Sequence, residues 1–214
     1  MFHHGYNLTP HIHRRWPVPW AYHGFTRTKP APRETGPSPK PPTAIPTPSR
    51  NSRSVRVVVE TILPCSADAA FREVKTSRLL TDVCFPLVMF GRVDGHDFPD
   101  EWPAGESLDC RSYLLGMIPL GRRHLHFERI DDGAREIQSR ESDPLVARWD
   151  HLIRITPLGP NRCLYRDEIV IEAGCRTGIV AWFAERLYRH RQKRWQAVAR
   201  RLKAQEICSL ARAA

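Results

Sequence analysis

Residues 177–203 read TGIVAWFAERLYRHRQKRWQAVARRLK, and this stretch decides the fold. At about 100° per residue, Val180, Phe183, Ala184, Leu187, Tyr188, Trp195, Val198, Ala199 and Leu202 share one broad face, the signature of an amphipathic helix. Neither proline nor glycine follows Gly178. At about 1.5 Å rise per residue the helix would be about 40 Å long, enough to cross a small domain. Arg191 interrupts the apolar stripe at its middle. A guanidinium there must snorkel out, meet a carboxylate, or face something wet.

A helix of that length needs an apolar surface to cover, and the preceding sequence supplies strands. VRVVVETIL, residues 55–63, is a β-branched run ended by Pro64. Ser66 can cap a short helix through ADAAFREV and Ser77 a second through RLLTDV, before Pro86 forbids continuation. GRVDGHDFPDEWPAGES then has the residues of turns. Five strand-like segments follow: LDCRSYLLGMI, RRHLHFERI, AREIQSRE, LVARWDHLIRI and NRCLYRDEIVIEA. Short separators divide them, and Asp131-Asp132-Gly133 is a hairpin turn by composition. Consecutive strands with short connections make an antiparallel meander. The expected class is α+β, a curved antiparallel sheet wrapped around the long C-terminal helix, with two short helices after the first strand.

Composition separates an arm from this domain. Residues 1–53 hold eleven of the nineteen prolines and eight Lys and Arg against the single acid Glu34, so they carry most of the net charge of +10. They are expected to be a disordered basic arm, with residues 54–214 forming the folded domain. The basic pI is therefore largely a property of the arm, and the domain is not expected to bind a specific nucleic acid. The arm and the basic residues Arg186, Arg189, Lys193, Arg200 and Lys203 of the helix could touch an acidic membrane weakly. The commoner meaning of such a run is a solvated helix back. Cys65, Cys84, Cys110, Cys163, Cys175 and Cys208 are widely spaced without a CxxC pattern, so neither zinc nor another cofactor is implied. Unpaired thiols, no apolar leader and no membrane-length run lead to the expectation of a cytoplasmic protein.

The order of elements resembles the SRPBCC superfamily, also called START-like or Bet v 1-like. SADAAF, HFERIDDGAREIQSRE, WDHLIRI, YRDEIVIEAG and YRHRQKRW carry the likeness over residues 54–206, and it is similar to the polyketide cyclase/dehydrase and lipid-transport branch. The resemblance implies a helix-grip fold with an elongated cavity between sheet and terminal helix, usually for an apolar small molecule. No cysteine and histidine cluster of the Rieske type is present.

Strand alternation gives that cavity a lining. Trp149, His151 and Ile153 share a face of one strand, and Tyr165, Asp167 and Ile169 share a face of the next. A register symmetric about Gly159 would bring Asp167 near His151. Phe183, Leu187, Arg191 and Trp195 would complete the wall from the helix. The leading expectation is a carrier or sensor of a lipid, polyketide or isoprenoid-like molecule in a cavity of about 300 Å³ or more. His151, Asp167 and Arg191 would orient the ligand's polar end, or Asp167 would pair with Arg191 or His151 and simply satisfy buried charge. The alternative is a cyclase or dehydrase-like enzyme in which His151 and Asp167 move protons. His124, His126 and Glu128 share another strand face beside Arg122, Arg123 and Arg129, which reads as a solvated, charged face. Glu136, Arg140 and Glu141 are expected to form cross-strand ion pairs.

Overall fold

A computed structural model describes residues 53–213, so the arm expected at residues 1–53 lies almost wholly outside the described residues. Strand β1 (Val55–Leu63) leads to helices α1 (Ala67–Val74) and α2 (Ser77–Cys84) and then to β2 (Val88–Arg92). Strands β3 (Ser107–Leu114), β4 (Ile118–Asp131), β5 (Glu136–Asp143), β6 (Val146–Gly159) and β7 (Arg162–Glu172) follow in succession. A 3-10 turn (Gly174–Arg176) leads into α3 (Thr177–Ala213). The strands form one sheet in the order β1-β7-β6-β5-β4-β3-β2, antiparallel throughout. This is the expected helix-grip architecture. The short helices span from one edge strand to the other, and α3 packs on β1, β7, α1 and α2.

Three details differ from the sequence reading. The five-residue strand β2 lies where only turns were read, because VMFGR is too short and too close to Pro86 to show a period. The cap of α2 is Thr76, whose side chain accepts from the Leu79 amide at 3.2 Å, and Ser77 is already helical. Replacing Thr76 with alanine is expected to cost about 1 kcal/mol in urea unfolding. Ser77→Ala is expected to have a much smaller effect, and a larger loss at Ser77 would put the cap back where the sequence suggested it. Finally, α3 continues to Ala213 instead of ending at Lys203, since nothing in QEICSLARA stops a helix.

The interior has two apolar clusters. One packs Val57, Val59, Ile169 and Ile171 against the first half of α3, where Ala181 and Ala184 let the helix approach the sheet closely. The other gathers α1, α2, Trp102, the inner faces of β3–β7 and the Trp195–Ala199 part of α3. Trp102 stacks on Phe127 with centroids 4.7 Å apart. Between the clusters runs a buried polar layer, which contains the candidate site.

Candidate functional site

The β6–β7 hairpin pairs Ile153 with Asp167 and His151 with Ile169, two residues from the register expected about Gly159. Asp167 is therefore diagonal to His151, not opposite, which is within reach for an imidazole. His151 Nε2 lies 2.8 Å from Asp167 Oδ1, and the Tyr165 hydroxyl donates to the same oxygen at 3.0 Å. Gln192 of α3 donates through Nε2 to Asp167 Oδ2 at 3.0 Å and to the Val59 carbonyl at 2.7 Å. Asp167 is fully buried. Burial alone would raise its pKa, but the hydrogen bond and charge of His151, the charge of Arg191 and the Gln192 hydrogen bond hold it below the ordinary carboxylate value. An ionised carboxylate only accepts, so Nε2 of His151 carries the proton of that bond.

Arg191 is not part of this cluster. No carboxylate lies within salt-bridge distance of it among the described residues, so of the two partners expected for Asp167 it is His151 that pairs and Arg191 that does not. Gln192, the next residue on the helix, is the α3 side chain that reaches the second Asp167 oxygen. Arg191 lays its guanidinium on the Tyr188 ring, 4.6 Å from the centroid. The residue as a whole is only half-buried, but its Nε is closed off from solvent and has no hydrogen-bond partner. Burial disfavours its charge, yet its pKa is raised above the ordinary guanidinium value, so it stays charged at neutral pH, where Asp167 is the ionised one among the groups acting on it.

A second inward-facing arginine was missed by the sequence reading. Arg123 was read with the solvated face of β4, but it shares the parity of buried Leu125 and Phe127 and points inward. Its Nη1 and Nη2 bind Glu141 Oε2 at 3.0 Å and Asp143 Oδ2 at 3.1 Å, and its Cζ sits 4.7 Å from the Trp149 ring centroid. Glu141 thus makes the expected cross-strand ion pair, from β5 to Arg123 of β4, but on the inward side of the sheet. Glu136 and Arg140 do make surface pairs, with Arg129 and Arg154 and with Glu128 and Asp150 respectively. His124 and His126 face outward and bond Asp109 and Ser107.

These groups surround a cavity of about 70 Å³ between α3, α2 and strands β4–β6. Of the expected lining, Trp149, His151, Ile153, Leu187 and Arg191 are on its wall. Phe183 lines a neighbouring apolar chamber of about 230 Å³ that opens outward and shares Arg123 and Trp149 with the inner cavity. Tyr165, Asp167, Ile169 and Trp195 face inward but lie beneath the wall: Trp195 meets the edge of Tyr165, and Ile169 packs in the cluster under Tyr188. Trp102, Phe127, Tyr188, Cys84 and Arg123 occupy the wall instead, and their bulk keeps the inner cavity well below the expected 300 Å³. Burial lifts the Cys84 thiol to about 11, so it is a neutral wall group and no nucleophile. No group of three or more metal-ligating side chains occurs among the described residues.

A seven-stranded antiparallel sheet gripping a long terminal helix, with a polar layer and a cavity between them, defines a class. Solved structures share it: a START superfamily protein from Mycobacterium smegmatis matches with a TM-score of 0.53 and 15% identity over 69% of this chain and 98% of that chain. A protein from Chromobacterium violaceum matches with a TM-score of 0.53 and 11% identity over 67% of this chain and 96% of that chain. At such identities the likeness is one of fold, and the chain has a START-like helix-grip fold. By sequence it belongs to the family described as "Domain of unknown function (DUF8410)", which residues 61–199 match. No curated protein matches the chain.

Proposed function

We propose that residues 54–214 form a cytoplasmic carrier or sensor that holds a small molecule with an apolar body and a polar end between sheet and α3. Residues 1–53 would be an appended arm without a specific nucleic-acid partner. One observation carries this reading: Arg191, half-buried and without an ion pair among the described residues, stands on the wall of an otherwise largely apolar cavity. A protein that only needed stability would place a hydrocarbon there, because a charge partly withdrawn from water without a counter-charge costs free energy. Helix-grip neighbours support the location, between sheet and terminal helix, at the level of fold.

The inner cavity alone holds only a polar end and the first few atoms of a ligand. Together with the outer chamber it reaches the order of 300 Å³ at which a site encloses a small molecule. Native mass spectrometry of the protein isolated gently from its own host is expected to show an adduct of small-molecule mass that collisional activation releases. Repeated spectra of the bare chain, with no shift on adding amphiphiles, would contradict the reading. Membrane contact is weakly supported: among the described residues no helix is long and apolar enough to cross a membrane, and the back of α3 exposes Arg186, Arg189, Lys193 and Arg200.

A second reading has its own observation. His151 lines the cavity while Asp167 anchors its Nε2, which leaves Nδ1 as the remaining polar atom of the ring. That is how a general base is oriented. For an acid/base enzyme, His151→Ala is expected to cut turnover on an aromatic precursor by about 10²–10⁴-fold with affinity retained. A carrier loses only some affinity.

A further inference from the structure

Whether the ligand's polar end is neutral or charged is decided by the acceptors around Arg191. Asp167 receives His151 and Tyr165 on one oxygen and Gln192 on the other. Glu141 receives Arg123 on Oε2 and the Ser139 hydroxyl on Oε1. Asp143 receives Arg123 on Oδ2, and the Leu145 and Val146 amides on Oδ1 at 2.8 and 2.9 Å. Each carboxylate near the cavity is thus engaged through both oxygens, and Nε of Arg191 meets none of them. Cζ of Arg191 lies over the Tyr188 ring, and with Nε closed off it is the terminal Nη groups, which have no hydrogen-bond partner among the described residues, that remain able to bind.

We infer that the ligand is a monocarboxylate whose carboxylate sits on the edge of Arg191 and whose apolar body passes the Arg123–Trp149 pair into the outer chamber. This rests on the cavity reading above. A carboxylate matches a guanidinium edge with two charge-assisted hydrogen bonds, about twice as strong as those to a neutral hydroxyl or ester carbonyl. The Glu141 carboxylate on the same wall disfavours a dianion such as a phosphate monoester. The size of the inner cavity, about 70 Å³, admits a head group but no chain. The chain's route is the outer chamber, lined by Leu120, Leu145, Val146, Val180 and Phe183, which the Arg123–Trp149 pair divides from the inner cavity, so the pair must part to admit the chain.

The test titrates the full-length protein with decanoate, decanol and methyl decanoate at neutral pH by calorimetry and tryptophan fluorescence. Decanoate is expected to bind about tenfold or more tightly than either neutral analogue. Equal affinity for decanol and decanoate would overturn the carboxylate assignment while leaving the cavity reading intact. Absence of binding by all three would overturn both. This comparison needs no variant, so folding of a mutant does not enter. The route is tested with Leu145→Trp, a change at a half-exposed residue on the outer chamber. It is expected to weaken decanoate several-fold and leave butanoate unaffected; decanoate affinity at the wild-type level would overturn the route.

Discussion

Arg191→Met is expected to make the ligand-free protein more stable and to remove most of its affinity for an apolar carboxylate. The guanidinium has no ion pair among the described residues, and Asp167 keeps three hydrogen bonds without it. Methionine fills a similar volume beside Tyr188, Leu187 and Cys84 without bringing a charge out of water. Exchanging buried ions for well-packed apolar groups typically gains about 1–4 kcal/mol. For a domain of this size that is a rise in Tm of several degrees, at about 2–4 °C per kcal/mol. Losing a charge-assisted interaction should weaken binding by about 10–100-fold. The two readouts moving in opposite directions would mark a residue retained for binding at the expense of stability. A fall in Tm of several degrees would instead show that Arg191 holds the fold together, and the reading built on it would fail.

At Asp167 the opposite is expected, because both oxygens of this carboxylate are hydrogen-bonded. Asp167→Ala leaves the Gln192 amide, the Tyr165 hydroxyl and the His151 ring without their common acceptor in a fully buried site. Breaking such a buried pair costs about 3–5 kcal/mol, a large part of the stability of an ordinary domain. Asp167→Asn should cost less, about 1–3 kcal/mol, since one amide oxygen still accepts while its NH₂ opposes the Gln192 donor. The pH dependence has a definite sign. The folded-state pKa of Asp167 is depressed, so the ionised form is favoured in the folded protein. Its contribution is complete above the unfolded aspartate value of about 3.9 and is lost as pH falls through the lower folded value. Wild-type stability should therefore fall below about pH 4, and the Asn variant should fall less steeply over the same range. Urea midpoints measured from pH 7 to pH 3 check this, and parallel curves would show that Asp167 is not ionised in the folded protein.

Much of the fold and part of the site were legible from residue order because both depend on periodicity. The 3.6-residue stripe of α3 and the two-residue alternation of β6 and β7 each bury one face, so His151 and Asp167 had to point the same way whatever else the chain did. Arg123 was misassigned for a physical reason, and the inward direction of its cross-strand partner Glu141 went unread for the same one. Their strands carry charges on both faces, so parity could be read only from Leu125, Phe127 and Ile137, and an inward arginine looked like its neighbours Arg122 and Arg129. Trp102 and Gln192 could not have been placed at all, since one lies in a loop and the other beside the basic back of a helix.

The sequence by itself thus determined the element order, the antiparallel sheet, the covering helix and the inward direction of one histidine, one aspartate and one arginine. Each follows from local pattern, because burying one face fixes side-chain direction. Only the tertiary structure decided which of those groups touch. It gave Asp167 to His151, Tyr165 and Gln192, and left Arg191 on Tyr188 without an acceptor at Nε. It also set the inner cavity at about 70 Å³, with Arg123 and Trp149 standing between it and the outer chamber. Pairing and volume depend on distances between elements far apart in the chain, to within an ångström or so, and no periodicity within a single element records them.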